Sequence, residues 1–357
     1  MLEALLEFPE FSIEQESKQQ ILLRELNALT SHHTQKCAEY GQIMRALWPN
    51  FSAPESLGEV PYLPIRLFKT HPLKSIDEKD VFKTLLSSGT TGQRPSQVFL
   101  DRETARRQTM ALARIMSTVL GPNRLPMILV EPDVRLSERS KFTARSAGVL
   151  GMMNFGRDHF FCLDEQMNLN VDGLRKFLRT HAGAPFLMFG FTFMVWQYFF
   201  LPCESMGIDL SNGILIHSGG WKKLQQIAVS NTEFKSRFAQ STGLARIYNF
   251  YGTVEQVGSV FLEGEDGYFY APNFADVIIR DPVTWREARV GMPGVIQILS
   301  LLPLSYPGHS LLTEDLGILH GIDDGSCGRR GKYFSVVGRI PAAELRGCSD
   351  THTAVAA

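Results

Sequence analysis

Between residues 18 and 29 the apolar positions Ile21, Leu22, Leu23, Leu26 and Leu29 recur at helical spacing, with Lys18, Arg24 and Glu25 between them. This pattern predicts a helical region over residues 1–48, ended by Trp48-Pro49. The proline-rich run from Pro54 to Pro72 is expected to wrap as extended chain. A short apolar run, Val81 to Leu86, leads into a loop of small residues, and Gln97 to Leu100 reads as a strand after it. Asp101 is placed to cap a helix reaching about Leu120, with Glu103 suited to the positive helix end. Further on, strands are predicted at Pro126 to Glu131, Pro185 to Phe189 and Gly213 to His217. Helices are predicted at Ser140 to Met153, Val171 to Thr180 and Thr192 to Phe200, with another starting within Trp221 to Ser230. Alternation of this length points to a mostly parallel sheet covered on both faces.

After residue 245 the pattern changes. Short strand candidates at Arg246 to Tyr251, Gly258 to Leu262, Tyr268 to Tyr270, Ala275 to Ile279, Gly294 to Ser300 and Tyr333 to Gly338 are separated by loops rich in Gly, Pro and Asp. They predict a smaller, antiparallel or barrel-like β-rich part. The expected organisation is a helical and extended region over 1–72 packed on the core, α/β subdomains over 73–245, a β-rich subdomain over 246–339 and a short tail over 340–357.

Composition narrows the classes. The 357 residues carry 36 Lys plus Arg against 37 Asp plus Glu, a net charge of -1, with 44% hydrophobic residues and 24 Phe. Such a chain supports a large core. It is too apolar for disorder and lacks the basic excess of a nucleic-acid footprint. Cys37, Cys162, Cys203, Cys327 and Cys348 are scattered, without CxxC spacing. That fits a reducing compartment and no structural zinc. The acidic start (Glu3, Glu7, Glu10) is unlike a signal peptide, and the apolar stretch Phe186 to Pro202 is interrupted by Gly190 and Gln197. A cytoplasmic protein without a membrane span is expected. Oligomeric state is not encoded in any recognisable pattern.

The loop Ser87-Ser88-Gly89-Thr90-Thr91-Gly92 is the most informative local signal. Glycines let backbone N–H groups turn around an anion, and four hydroxyls add donors for phosphate oxygens. It is neither a Walker A loop nor GxGxxG. On composition alone, a phosphate grip and a polar turn between two strands stand level.

Ser88-Gly89-Thr90-Thr91-Gly92 resembles the phosphate-binding signature of the adenylate-forming superfamily of acyl-CoA synthetases, peptide-synthetase adenylation domains and luciferases. The following Gln93-Arg94-Pro95-Ser96 resembles the variant in the short acyl-protein synthetases of bacterial bioluminescence. Ser218-Gly219-Gly220 resembles the glycine pair lining the adenine and acyl pocket. Tyr251-Gly252-Thr253-Val254-Glu255 resembles the Tyr-Gly-x-Thr-Glu motif, with the hydroxyl moved one place earlier. Asp315 in Thr313-Glu314-Asp315 and Arg339 in Gly338-Arg339 resemble the ribose-binding aspartate and the hinge arginine.

The resemblance implies an ATP-dependent ligase that converts a carboxylic acid to an acyl-adenylate, with ATP and Mg2+ as cofactors. Its fold would be the N-terminal large domain of that superfamily, α/β with layered parallel sheets and a β-rich subdomain. It implies that Ser88, Thr90 and Thr91 serve catalysis, that Tyr251 stacks on adenine, that Thr253 touches phosphate and that Glu255 holds magnesium. His217, Gly190 and Phe191 are candidates for the acid site, with space-filling or core roles as the alternative. Most of the superfamily has a Lys after the Pro; Ser96 stands there, and Arg94 is one candidate replacement.

Leu345-Arg346-Gly347-Cys348-Ser349 resembles the C-terminal stretch of the luminescence enzymes, where a Cys accepts the acyl group. Cys348 is thus a candidate acyl carrier, the alternative being an inert terminal thiol. The substrate implied is a long-chain fatty acid, or an aromatic carboxylate as in the phenazine-adenylating protein of griseoluteic acid biosynthesis. The expectation leans to the aromatic acid, in antibiotic biosynthesis, with a reductase, thiol, amine or acceptor protein receiving the acyl group. A nucleotide-binding homologue without catalysis is the competing class. The chain ends 18 residues after Arg339. The mobile C-terminal domain of the longer relatives, with its lysine, is therefore expected to be absent or vestigial.

Overall fold

The computed structural model describes residues 2–87, 94–133, 144–221 and 228–340. The strands, in chain order, are β1 (Leu63–Pro64), β2 (Lys83–Leu86), β3 (Gln97–Leu100), β4 (Leu125–Leu129), β5 (Gly156–Phe161), β6 (Phe186–Phe191) and β7 (Gly213–Ser218). They continue as β8 (Arg246–Tyr251), β9 (Phe261–Glu263), β10 (Phe269–Tyr270), β11 (Ala275–Arg280), β12 (Pro293–Ser300), β13 (Ser310–Ile322) and β14 (Lys332–Arg339). The described residues divide into two compact units, one built from residues 2–115 together with 252–340, the other from residues 116–251.

In the first unit, strands run in the order β11-β12-β13-β14-β10-β9, antiparallel throughout. β13 is 13 residues long because it has successive partners: its start pairs in parallel with β1, and from Asp315 on it pairs with β14. The helix Gln15–Lys36 buries Leu22, Leu26 and Leu29. It is tied to the β-rich part by polar contacts: Gln15 Nε2 donates to Asp276 Oδ2 (2.6 Å) and Lys18 Nζ to Ala271 O (3.1 Å). Further along, Thr30 Oγ1 lies 3.0 Å from His309 Nε2. Burial drives the Lys18 pKa down to about 8 despite the neighbouring Asp276.

β2 and β3 form a separate two-stranded hairpin. Its anchor is Ser305. The Ser305 Oγ donates to Phe99 O (2.8 Å), its N–H donates to Thr104 Oγ1 (3.2 Å), and its carbonyl accepts from Ser75 N (2.7 Å). Asp101 caps the helix Arg102–Leu120 as expected, accepting from Thr104 N at 2.7 Å.

The second unit is a parallel sheet in the order β8-β7-β6-β4-β5. β4, β6 and β7 are buried along their whole length, as strands covered on both faces should be. Side chains alternate across a strand. Phe191 meets the helix Ala144–Met153, where a Cβ on Gly148 would lie 3.9 Å from its ring. His217, of opposite parity through its pairing with Gly190, stacks on Phe234 of the helix Asn231–Thr242 at 4.8 Å. Helices therefore cover both faces of this sheet. Ser230 caps the latter helix, and Gly243 at φ 74° closes it.

The α/β architecture expected from the pattern holds, with differences in detail. β5 and β13 were not predicted. β5 opens on the polar Gly156-Arg157-Asp158-His159, and β13 carries Thr313-Glu314-Asp315 and two glycines, so neither shows a run of alternating apolar residues. The segment Pro54 to Pro72 is not simply extended: a 3-10 turn at Leu57–Glu59 and a short helix at Leu67–Thr70 interrupt it. Thr192 to Phe200 is helical as expected, but its second part, Val195–Phe200, has π geometry. Residues 222–227 of the helix expected near Trp221, and 140–143 of the one expected from Ser140, lie outside the described residues.

Candidate active site

In the first unit, β2 and β3 carry the two ends of the hydroxyl-rich loop. Ser87 N donates to Ser96 O (3.0 Å), and Ser96 N donates to Ser87 Oγ (2.8 Å), so the hairpin is closed at its mouth. Ser88, Gly89, Thr90, Thr91 and Gly92 between them lie outside the described residues, as does Cys348.

Glu255 sits on the 3-10 turn Val254–Gln256. Gln256 fixes that turn, its Nε2 donating to Ile298 O (3.2 Å) and Gly308 O (2.7 Å). Gly308 must be glycine, since a Cβ there would lie 2.9 Å from Glu255 O. Glu255 is buried, and burial raises its carboxyl pKa. The Ser96 hydroxyl, its own backbone N–H and the charges of Lys69 and Arg339 pull the other way. Burial likewise raises the pKa of the Tyr306 phenol, helped by the Glu255 charge. Thr253, two residues before Glu255, has its Oγ1 buried and without a hydrogen-bond partner among the described residues. A buried hydroxyl with no protein partner is suited to a ligand oxygen.

Asp315 and Arg339 are register partners on β13 and β14. Glu314 beside them accepts from Arg66 Nε at 2.8 Å. Gly252 is exposed, and a Cβ there would make only ordinary contact, 3.5 Å from Ser259 O.

In the second unit the remaining candidates gather at the C-terminal edge of the parallel strands, where ligands of open α/β sheets bind. His217 and Ser218 end β7, Gly190 and Phe191 end β6, and Tyr251 ends β8. Gly219 has φ 81°, a left-handed conformation that favours glycine. A Cβ on Gly219 would lie 3.7 Å from Phe191, and one on Gly220 would meet nothing within 4 Å. Gly190 has a packing reason to be glycine: a Cβ there would lie 2.7 Å from Val195 Cγ2 and 2.8 Å from Val130 Cβ.

The tautomer of His217 follows from its neighbours. Thr192 Oγ1 donates its one proton to Ser218 O (3.1 Å), so His217 Nδ1, 2.9 Å away, must be the donor to Thr192 Oγ1. That leaves Nε2 as a buried acceptor without a hydrogen-bond partner among the described residues. Burial, with Lys235 nearby, lowers the His217 pKa to about 3, so the ring is neutral.

Thr192, which orients His217, gives no signal in the sequence. Sequence reading also missed the buried Glu131–Arg145 pair, in which Arg145 Nε donates to Glu131 at 2.8 Å. Glu131 follows β4 at the same sheet edge, and a lone acid after an apolar run was the available signal. Among the described residues no group of three or more His, Cys, Asp or Glu could hold a metal, and no helix is long and apolar enough to cross a membrane.

Residues 3–355 match the family described as acyl-protein synthetase, LuxE. A long-chain-fatty-acid–luciferin-component ligase of Vibrio harveyi is 21% identical over 354 residues, covering 94% of this chain and 88% of its own. One of Aliivibrio fischeri is 22% identical over 314 residues, covering 82% and 78%. Among solved structures, an open form of 2-hydroxyisobutyryl-CoA ligase with its acyl-adenylate and CoA superposes with TM-score 0.70 at 18% identity, over 93% of this chain and 77% of that one. The latter likeness is one of fold.

Proposed function

The chain belongs to the LuxE acyl-protein synthetase family, and from that premise we propose that it activates an apolar carboxylic acid as its acyl-adenylate and passes the acyl group on through Cys348. It is an ATP-dependent adenylate-forming ligase. In the proposed reaction a carboxylate oxygen attacks the α-phosphorus of ATP. The bond from that phosphorus to the bridging oxygen breaks, and pyrophosphate leaves with the electron pair. The Cys348 thiolate then attacks the acyl carbonyl, expelling AMP and forming a thioester for a reductase, thiol or amine acceptor.

The observation that carries this reading is the set in the first unit: a hydroxyl-rich loop closed by Ser87 and Ser96, the buried Glu255, the Thr253 hydroxyl with no hydrogen-bond partner among the described residues and the Asp315–Arg339 pair. Asp315 would accept from the ribose hydroxyls, with Arg339 beside it, and the loop hydroxyls and Thr253 would donate to phosphate oxygens. The donor set fits magnesium in one way. That ion commonly takes one or two carboxylates and completes its shell with water and substrate phosphates, so Glu255 alone would serve. When bound, the ion would offset phosphate charge. In the second unit Tyr251 would stack on adenine, and the Phe191, Ser218 and Gly219 surface would border the acid.

The names of the relatives favour a long-chain fatty acid. The buried aromatic groups at the sheet edge, Phe191 among them, favour the second reading, a planar phenazine-type carboxylate. ATP–pyrophosphate exchange with a panel of both acid types tests the function. Exchange with neither type, while ATP still binds, would overturn catalysis and leave a nucleotide-binding protein. The preferred acid separates the two substrate readings.

A further inference from the structure

Residues 281–292, which join β11 to β12, expose four large apolar side chains: Val283 (84%), Trp285 (46%), Val290 (54%) and Met292 (56%). Single exposed apolar residues need no explanation, but a group of them in one short segment marks a contact surface. The segment is firmly built. Ala288 N donates to Ile279 O (2.7 Å) and Asp281 N to Arg286 O (2.9 Å), so it leaves the sheet as a short hairpin. Asp281 Oδ1 accepts from Val283 N (2.9 Å) and Thr284 N (2.8 Å), and Arg280 Nη1 donates to Trp285 O (2.7 Å). Trp285 is held at φ 58°, a region that bulky residues rarely enter and that persists only where the surroundings fix it.

The charges of the segment are one-sided toward solvent. Its two acids are engaged with the fold, Asp281 in the turn just described and Glu287 with the buried Lys332 at 3.4 Å. Arg286 and Arg289 are both exposed. Tryptophan, aliphatic groups and arginine together suit a bilayer surface: the indole sits at headgroup level, the aliphatic groups reach the acyl chains and the guanidinium groups meet lipid phosphates. Val283 has almost no contact within the chain, which suits insertion into a fluid phase better than a fit to a shaped protein partner.

We infer that the 281–292 hairpin is a peripheral membrane anchor, inserting Val283 and Trp285 into the interface and setting Arg286 and Arg289 on anionic phospholipid headgroups. No helix among the described residues is long and apolar enough to cross a membrane, and a single short hairpin gives reversible attachment. The inference does not depend on the acid used or on the adenylation reading.

The test is co-sedimentation of the full chain with vesicles of phosphatidylcholine alone and of phosphatidylcholine mixed with phosphatidylglycerol. Partition to the mixed vesicles is expected to be about 10-fold stronger than to the neutral ones and to weaken with added salt. Arg286→Gln/Arg289→Gln should remove most of that preference. Val283→Ser/Trp285→Gly should weaken partition to both vesicle types about 10-fold; glycine suits the backbone at position 285, and thermal melting of each variant reports whether the fold is kept. Tryptophan emission should move to shorter wavelength when the unaltered chain binds, and the variant lacking Trp285 should lose that movement. No binding of the unaltered chain to the mixed vesicles, or binding that both variants keep in full, would overturn the inference. So would light scattering that shows a self-associated chain made monomeric by Val283→Ser/Trp285→Gly, since the occupant of the surface would then be a second copy.

Discussion

Asp315 and Arg339 face each other across β13 and β14, with Arg339 Nε 3.3 Å from Asp315 Oδ1. Two residues proposed to meet the same ribose are thus held by one antiparallel register. Their side chains are 17% and 33% exposed, so the pair contributes less than about 1 kcal/mol to stability. Asp315→Ala should therefore keep the fold while weakening ATP binding about 10- to 100-fold, the cost of a lost charged hydrogen bond. Calorimetric titration showing unchanged ATP affinity would remove Asp315 from the ribose site.

Glu255 combines a proposed metal-binding role with a stability penalty. Its folded pKa is raised by burial. The folded state therefore holds the proton more tightly than the unfolded one, and the stability this gives at low pH is lost as pH rises above the ordinary carboxylate range. Glu255→Gln keeps the shape without the charge. It should melt at a higher temperature than the original at pH 8 and exchange pyrophosphate more slowly, with a weaker response to added magnesium. A lower melting temperature at pH 8 would contradict the burial argument.

Two buried histidines make the first unit acid-sensitive. Burial holds the His33 pKa well below its ordinary value and lowers that of His309 to about 3. For a depressed histidine, stability is present above the unfolded pKa near 6.5 and falls below it, at up to about 1.4 kcal/mol per pH unit for each ring. Glu10, raised to about 7 by burial, works in the opposite sense between its ordinary range and that value. Comparing His309→Gln with the original isolates the histidine contribution. Its urea midpoint should fall less steeply between pH 7 and pH 5, and an identical slope would count against a buried neutral His309.

Gly190→Ala probes packing at the edge of the parallel sheet. The added Cβ would press on Val195 and Val130. Overpacking of this kind costs about 1–3 kcal/mol, so denaturant unfolding should show a loss in that range. A change near zero would mean that this edge has room to adjust.

Cys348→Ser should leave adenylate formation unchanged and abolish a covalent acyl-enzyme. Intact-protein mass spectrometry after incubation with ATP and acid reads this directly. An acyl adduct that persists in the variant would exclude Cys348 as carrier.

The motifs were legible in the sequence because each is local: Tyr251 to Glu255, Ser218 to Gly220 and the loop after Ser87 are contiguous. What joins them was not. The facing of Asp315 and Arg339 depends on the register of β13, a strand whose polar middle hides it. The packing of β3 on the turn that carries Glu255 joins residues far apart in sequence. The parallel core is legible because buried strands such as Gly213–Ser218 are nearly continuous apolar runs, whereas β5 begins on polar residues and shows no such run.

The hairpin that bears the hydroxyl loop stands outside the large sheets, and two strands alone are marginal in water. Ser305 clips it to Thr104 and to Ser75 at once. Ser305 thereby sets how firmly the proposed phosphate-binding hairpin is mounted. The mounting of the whole hairpin therefore hangs on three hydrogen bonds of a single serine.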